Sequence, residues 1–370
     1  MHFFSVAFAT LALVAAPVLA APSPLKSVEK FRGETNGKYI VKLKSGISRK
    51  GWINKLQLNS TVDWALLNGF AGSLSEDALN TLRASDDVEY IQEDGIMHTM
   101  VTQTNAPWGL QRVSQDAKLT STDTSALTYI YTYDASAGAG VDIYVVDTGI
   151  YTSHSDFGGR ARWGASFGGY GTSDGNGHGT HCAGTAAGTQ YGVAKKANVI
   201  AVKVLSDSGS GATSTIVSGL NWVLTQAEAS GRPSVVSMSL GGSASTALDN
   251  AVTSLTSAGV HVAVAAGNSN VDAANTSPAR AASAITGAVV DIFAPGANVI
   301  STWIGSTTAI NNISGTSMAT PHIAGLIAYL ISKDGNVTPA AMSTKIKNLS
   351  VKSILTGIPS GTVNYLANNA

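Results

Sequence analysis

Apolar residues follow two rhythms along this chain. Between residues 35 and 95 they alternate with polar ones. Lys38-Tyr39-Ile40-Val41-Lys42-Leu43-Lys44 and Val88-Glu89-Tyr90-Ile91-Gln92-Glu93-Asp94 each read as a half-buried strand. Residues 49–58 read as a first helix. Ser75-Glu76-Asp77-Ala78-Leu79-Asn80-Thr81-Leu82 opens a second one, with a capping serine and acids in its first turn. The expectation for 35–95 is a small α+β domain around an antiparallel sheet. Residues 21–34, with Pro and Lys but little periodicity, are expected to be a mobile lead-in. From Gln103 onward the pattern changes. Segments 141–147, 199–205, 234–240 and 261–266 are short apolar runs without alternation, as strands of a parallel sheet covered on both faces require. Helical stretches at 213–229, 245–258 and 317–331 alternate with them. This rhythm predicts a doubly wound α/β domain with its site at the carboxyl ends of the strands.

Composition narrows the class. At 370 residues two folded units are expected. Charged residues make up 12%, and Lys+Arg balance Asp+Glu at 23 each, so the chain lacks the electrostatic footprint of a nucleic-acid or membrane-surface binder. Residues 1–20 read as a secretory signal, an almost wholly apolar run closing on Val18-Leu19-Ala20. Pro17 and the polar residues from Ser23 argue against a membrane anchor, and no later segment is long enough to span a bilayer. A secreted, soluble protein is expected. Sequons then gain meaning at Asn59, Asn275, Asn312, Asn336 and Asn348. Cys182 is the sole cysteine, which excludes an intrachain disulfide and leaves stability to packing and to metal.

Candidate chemistry sits at three segments: Val146-Asp147-Thr148-Gly149, Gly177-His178-Gly179-Thr180-His181 and Gly315-Thr316-Ser317-Met318-Ala319-Thr320-Pro321. They supply an acid, a base and a nucleophile in the order Asp, His, Ser, one of three known orders for a serine-hydrolase triad. An α/β-hydrolase would run Ser, Asp, His and use G-x-S-x-G, whereas Ala319 stands where the second glycine would be. Ser317 is a weak nucleophile until a neighbour takes its proton, His178 would take it because an unperturbed imidazole titrates near neutrality, and Asp147 would fix the imidazole tautomer. The helix after Ser317 aims its positive end at the site. Backbone N–H of Ser317 is one oxyanion donor, and the amide of Asn268, closing Ala265-Ala266-Gly267-Asn268, is the other. Rival acids are Asp142, Asp156 and Asp174, and rival bases are His154, His181 and His322. A zinc site from His178, His181 and Cys182 lacks a matching second cluster. Cys182 reads as a small buried hydrophobe one helical turn from His178.

These segments, together with Ser239-Leu240-Gly241-Gly242, resemble the subtilisin superfamily. Asn105-Ala106-Pro107-Trp108-Gly109-Leu110, His178-Gly179-Thr180-His181-Cys182-Ala183-Gly184-Thr185 and Gly361-Thr362-Val363-Asn364 narrow the resemblance to the proteinase K family. It covers 103–370, while 35–98 resemble the inhibitor-type propeptide of such zymogens, a ferredoxin-like fold. The implied organisation is a signal peptide 1–20, a propeptide 21–100 and a peptidase domain 101–370. The implied activity is a secreted serine endopeptidase acting on proteins and peptides as a monomer. No cofactor is needed for catalysis. Its own propeptide would act as intramolecular inhibitor, with residues 95–100 in the substrate groove and self-cleavage near Met100–Val101. Gly209, Ser210 and Gly211 on one side, and Ser239, Leu240 and Gly241 on the other, would sandwich a substrate strand. Ala265, Ala266 and Gly267 would floor a roomy apolar S1 pocket favouring aromatic or aliphatic P1 residues. The resemblance also implies a structural calcium, held by Asp291 with carbonyls of Ala282 and Ala284.

The sequence departs from the family after Thr286. Gly287-Ala288 leads directly into Val289-Val290-Asp291-Ile292-Phe293 where family members carry a strand and a Ser-Phe-Ser-Asn-Tyr-Gly loop. A rival expectation follows: a catalytically impaired pseudoprotease acting as a binding or inhibitory protein. A metallohydrolase is a third.

Overall fold

The computed structural model describes residues 25–31, 35–58, 61–97, 99–285 and 290–369. It divides into two compact units after Ile96.

The first unit is built from β1 (Val28–Glu29), β2 (Thr35–Leu43), α1 (Arg49–Lys55), β3 (Thr61–Trp64), β4 (Gly69–Gly72), α2 (Glu76–Arg83) and β5 (Val88–Gly95). From β2 onward this is a β-α-β-β-α-β run. Sheet order is β1-β5-β2-β4-β3, antiparallel except where β1 joins β5. That is the ferredoxin-like arrangement, with β1 added at one edge. Ser75 caps α2 through its side chain, which accepts from Ala78 N at 3.2 Å. Val41, Leu43, Trp52, Phe70, Leu82, Val88 and Ile91 form the core. The lead-in departs from expectation. Val28 and Glu29 have no periodicity to signal a strand, yet they fill a slot along the outer edge of β5 by backbone pairing with Ile91 and Gln92. Residues 1–20 of the expected signal and the sequon at Asn59 lie outside the described residues.

In the second unit, β6 (Met100–Ala106) runs into α3 (Trp108–Arg112) and ladders onto β7 (Tyr129–Asp134). Then follow β8 (Asp142–Asp147), β9 (Ala161–Ser166), α4 (His178–Ala187), β10 (Asn198–Lys203), α5 (Thr213–Ser230), β11 (Ser234–Met238), β12 (Gly242–Ser243), α6 (Thr246–Ser257), β13 (His261–Val264) and β14 (Thr276–Ser277). A hairpin of β15 (Val299–Thr302) and β16 (Ile310–Ile313), then α7 (Thr316–Asp334) and α8 (Pro339–Leu349), complete the main body.

Strands β13-β11-β8-β10-β9 make one wholly parallel sheet. β8 explains why its sequence does not alternate. Ile143 and Val145 enter one core with α4 and α7, while Tyr144 and Val146 enter the other with α5 and α6. Both faces are covered, so every residue of the strand is buried. The chain reverses its winding at β8, which has β10 on one side and β11 on the other. A crevice therefore opens beyond the carboxyl ends of these strands. The segment where a family strand is expected, 286–289, lies outside the described residues. Before it, Ile285 still bridges in parallel to Ala263 on β13.

Candidate active site

β8 ends at Asp147, a fully buried carboxylate. α4 begins at His178, whose Nδ1 lies 2.8 Å from Asp147 Oδ1 and 3.0 Å from Oδ2. This contact fixes the proton on Nδ1 and leaves Nε2 as the basic nitrogen. The Asp147 carboxylate, with a lesser contribution from Cys182, holds the imidazole pKa above its ordinary value against the opposing effect of burial.

Ser317 is the second residue of α7, in the turn whose N–H groups have no intrahelical acceptors. Its hydroxyl donates to the Ser239 carbonyl at 3.2 Å, and the Ser239 hydroxyl returns a 2.7 Å bond to the Ser317 carbonyl. Cys182 adds a thiol contact of 3.5 Å to that carbonyl. Burial pushes the thiol pKa up, as a packed neutral side chain requires.

Asn268 follows β13 and is tied to the start of α7. Its Oδ1 accepts from Thr316 N at 3.0 Å and from Thr316 Oγ1 at 3.1 Å. With the oxygen so engaged, the amide Nδ2 is the end available to donate. Thr316 Oγ1 also accepts from Gly267 N at 3.2 Å, clamping the same turn. Gly267 has φ 103°, a backbone state suited to glycine.

One cleft of about 1270 Å³ joins these groups. His178 and Ser317 line it, and so do Asn268, Gly267, Gly209, Ser210, Gly211, Ser239, Leu240 and Gly241. Ala266, expected on its floor, does not line it. Its neighbour Ala265 does, since successive side chains of extended chain face opposite sides.

The rivals are accounted for by their partners. Asp142 starts β8 and pairs with Arg232 at 3.0 Å. Asp156 accepts from the backbone of Gln190 at 2.7 Å. His181 and His322 are buried, bond to Val299 O and Met318 O, and are pushed down to about 4 by burial. His154 bonds Ala309 O at 2.8 Å. The zinc trio does not assemble, because His181 turns to the β15 backbone and Cys182 to Ser317. Among the described residues, Asp147, His178 and Cys182 are the one metal-sized grouping. Within it the acid already holds the imidazole Nδ1.

Asp291 Oδ1 faces the Lys347 ammonium at 3.3 Å, an ion pair that a bound cation would have to compete with. Sequence reasoning missed the contributions of Thr148, Thr180 and Thr316, whose hydroxyls organise the loops. All three stand inside the quoted motifs, but a threonine in a motif does not announce which group it binds.

An order of Asp, His and Ser, spread over the strand ends of a parallel sheet and the first turn of a buried helix, defines a subtilisin-type serine hydrolase fold. The comparisons give the family. The subtilase family (Peptidase S8) matches residues 138–365, and the peptidase inhibitor I9 family matches residues 57–100. The chain belongs to the subtilase family. It is 45% identical to a cuticle-degrading protease of Metarhizium anisopliae, over 100% of both chains. It is 44% identical to Proteinase R of Parengyodontium album, over 94% of this chain and 92% of that protein. A solved cold-adapted subtilisin-like serine proteinase superposes with a TM-score of 0.63 at 41% identity, covering 72% of this chain and 99% of its own. The protein is thus a proteinase K-like serine endopeptidase with an inhibitor-type propeptide domain. Aligned relatives that are proteases throughout give the non-catalytic reading no support.

Proposed function

We propose that Ser317 is the nucleophile, His178 the general base and acid, and Asp147 the residue that orients and stabilises the imidazolium. The oxyanion is held by Asn268 Nδ2 and Ser317 N. The observation that carries this reading is the Asp147–His178 contact of 2.8 Å, opening onto a cleft that Ser317 and Asn268 also line. The Ser317 hydroxyl turns from the Ser239 carbonyl to His178 Nε2 as substrate enters, a contact of the kind that tightens only in the complex. Attack on the scissile carbonyl forms the acyl-enzyme, His178 passes the proton to the leaving amine, and water repeats the sequence to release the acid. Substrate lies extended between Gly209, Ser210 and Gly211 on one side and Ser239, Leu240 and Gly241 on the other. Backbone bonding there favours breadth of sequence, and the Ala265–Gly267 floor favours aromatic or aliphatic P1 residues.

The protein is exported on residues 1–20 and acts outside the cell as a monomer. Among the described residues no helix is long and apolar enough to cross a membrane. Asn275, Asn312, Asn336 and Asn348 are exposed, as glycan acceptors must be. Calcium at Asp291 gains nothing from the geometry. Residues 21–100 form the propeptide, cleaved near Met100–Val101. Those two residues begin β6, paired with Asp134 and Tyr133, so cutting there requires that end of the ladder to open.

The test is to express the full chain beside Ser317→Ala and weigh the secreted product. Loss of residues up to about Val101 in the wild type alone is expected. Equal processing of both, or of neither, would overturn the self-processing triad.

A further inference from the structure

Asp174 was a rival for the catalytic acid, and it is not used by the mechanism above. Its side chain is nonetheless among the most heavily bonded in the unit. The residue is 8% exposed. Oδ1 accepts from Thr148 Oγ1 at 2.9 Å, Asn176 N at 3.0 Å and Gly177 N at 2.9 Å. Oδ2 accepts from Thr180 N at 3.0 Å and Thr180 Oγ1 at 2.6 Å.

The partners give these bonds a direction. Thr148 follows Asp147 directly, and its N–H donates to Asp147 Oδ1 at 2.7 Å. Gly177 and Thr180 bracket His178. Gly177 is the N-cap of α4 and has no side chain to cap it. The N–H groups of the first turn are satisfied from elsewhere: His178 N by Asn176 Oδ1 at 3.2 Å, Gly179 N by Thr148 Oγ1 at 3.0 Å, Thr180 N by Asp174. A side chain at 179 could not be accommodated, since its Cβ would meet the Gly149 carbonyl oxygen. The Asp174 carboxylate thus bridges the end of β8 and the start of α4, beside the direct bonds from Gly179 N to Thr148 Oγ1 and from Tyr151 N to Thr180 Oγ1. A negative group at a helix N-terminus is also favoured by the macrodipole.

We propose that Asp174 is a positioning residue for the reaction: through Thr148, Gly177 and Thr180 it sets the Asp147–His178 geometry. The proposal rests on the triad assigned above. An amide at 174 would present N–H donors to partners that are themselves donors, so Asp174→Asn breaks the hub with little change of volume. Misplacing a catalytic pair by a fraction of an ångström to 1 Å costs up to about 10²-fold in rate.

The experiment compares wild type, Asp174→Asn, Thr180→Val and Thr180→Ser as matured enzymes on a soluble peptide ester, with Ser317→Ala, its propeptide cut by immobilised wild-type enzyme, as the blank. Active sites are counted by burst titration, so that kcat refers to folded enzyme only. Asp174→Asn and Thr180→Val are expected to lose at least about tenfold in kcat with KM within about twofold. Thr180→Ser, which keeps both the donor and the acceptor, recovers the activity. The groups facing His178 are Asp147 and Cys182, with His181 one turn along. A loosened Asp147 raises the His178 pKa less, so the acid limb of kcat/KM moves to lower pH in Asp174→Asn. Unchanged kcat per titrated site, or loss without a shifted limb, would overturn the positioning role. Should Asp174→Asn fail to fold, equal kcat for Thr180→Val and Thr180→Ser would do so. An active Ser317→Ala would instead sink the triad itself.

Discussion

A methyl group on Gly315 would stand 3.5 Å from Asn268 Nδ2 and 3.7 Å from Ser317 N. The space kept open by this glycine is thus flanked by both proposed oxyanion donors. Asn268 was legible in the sequence as a candidate because it follows an apolar strand and three small residues, Ala265, Ala266 and Gly267. Its orientation was not, for that depends on Thr316 engaging Oδ1 through two bonds. The residue-scale prediction concerns this amide. Asn268→Ala removes one donor aimed at charge that exists only in the transition state. The expected loss is about 10²–10³ in kcat with KM nearly unchanged, the magnitude known for the matching donor in a subtilisin. Steady-state kinetics on a peptide anilide check it. A loss confined to KM would make Asn268 a substrate-binding residue only.

Helices α4 and α7 carry His178 and Ser317 and pack against each other, so the distance between the proposed base and nucleophile is set by helix packing. Gly325 lies where they approach closely: a Cβ there would be 2.6 Å from the Ala186 carbonyl oxygen and 2.8 Å from Val193 Cβ. The obstruction includes the backbone of α4, which cannot rotate aside. Gly325→Ala is expected to destabilise by about 1–3 kcal/mol despite the better helix propensity of alanine. Thermal unfolding of the inactive Ser317→Ala form would show a lower midpoint. A raised midpoint would mean that propensity wins and the helices have slack. The elements themselves were largely readable. α5, α6 and α7 fall within a few residues of the periodic stretches, β8, β11 and β13 lie within the apolar runs, and β10 begins one residue before its run. β9, β6 and β7 were not read, because Ala161–Ser166 and Met100–Ala106 hold few apolar residues and owe their strand state to pairing partners. β1 is the extreme case, two residues defined by an edge alone.

At the scale of the whole molecule, the neutral, cysteine-poor composition leaves the peptidase unit to its two cores and to buried polar groups that packing keeps in one protonation state. His181 and His322 sit in the core beneath the site, each held neutral by burial with its pKa pushed down to about 4. In the unfolded chain both titrate near 6.5, so below that pH the unfolded state takes up protons that the fold refuses. Stability from these groups is complete above about pH 6.5 and drains away as the pH falls toward 4. The full loss is about 3 kcal/mol for each. His178 works in the opposite sense: Asp147 raises its pKa, so the fold takes up that proton more readily than the unfolded chain, and as the pH falls it offsets part of the loss. His322 is the cleaner reporter, since among the described residues its ring has one hydrogen bond, to Met318 O at 2.8 Å. With the nucleophile removed to prevent autolysis, urea midpoints at pH 7 and pH 4.5 should drop for the parent chain and drop less for His322→Gln, which retains a donor for that carbonyl. Equal drops in the two proteins would show that His322 takes up its proton without leaving the core, and that the acid sensitivity lies elsewhere.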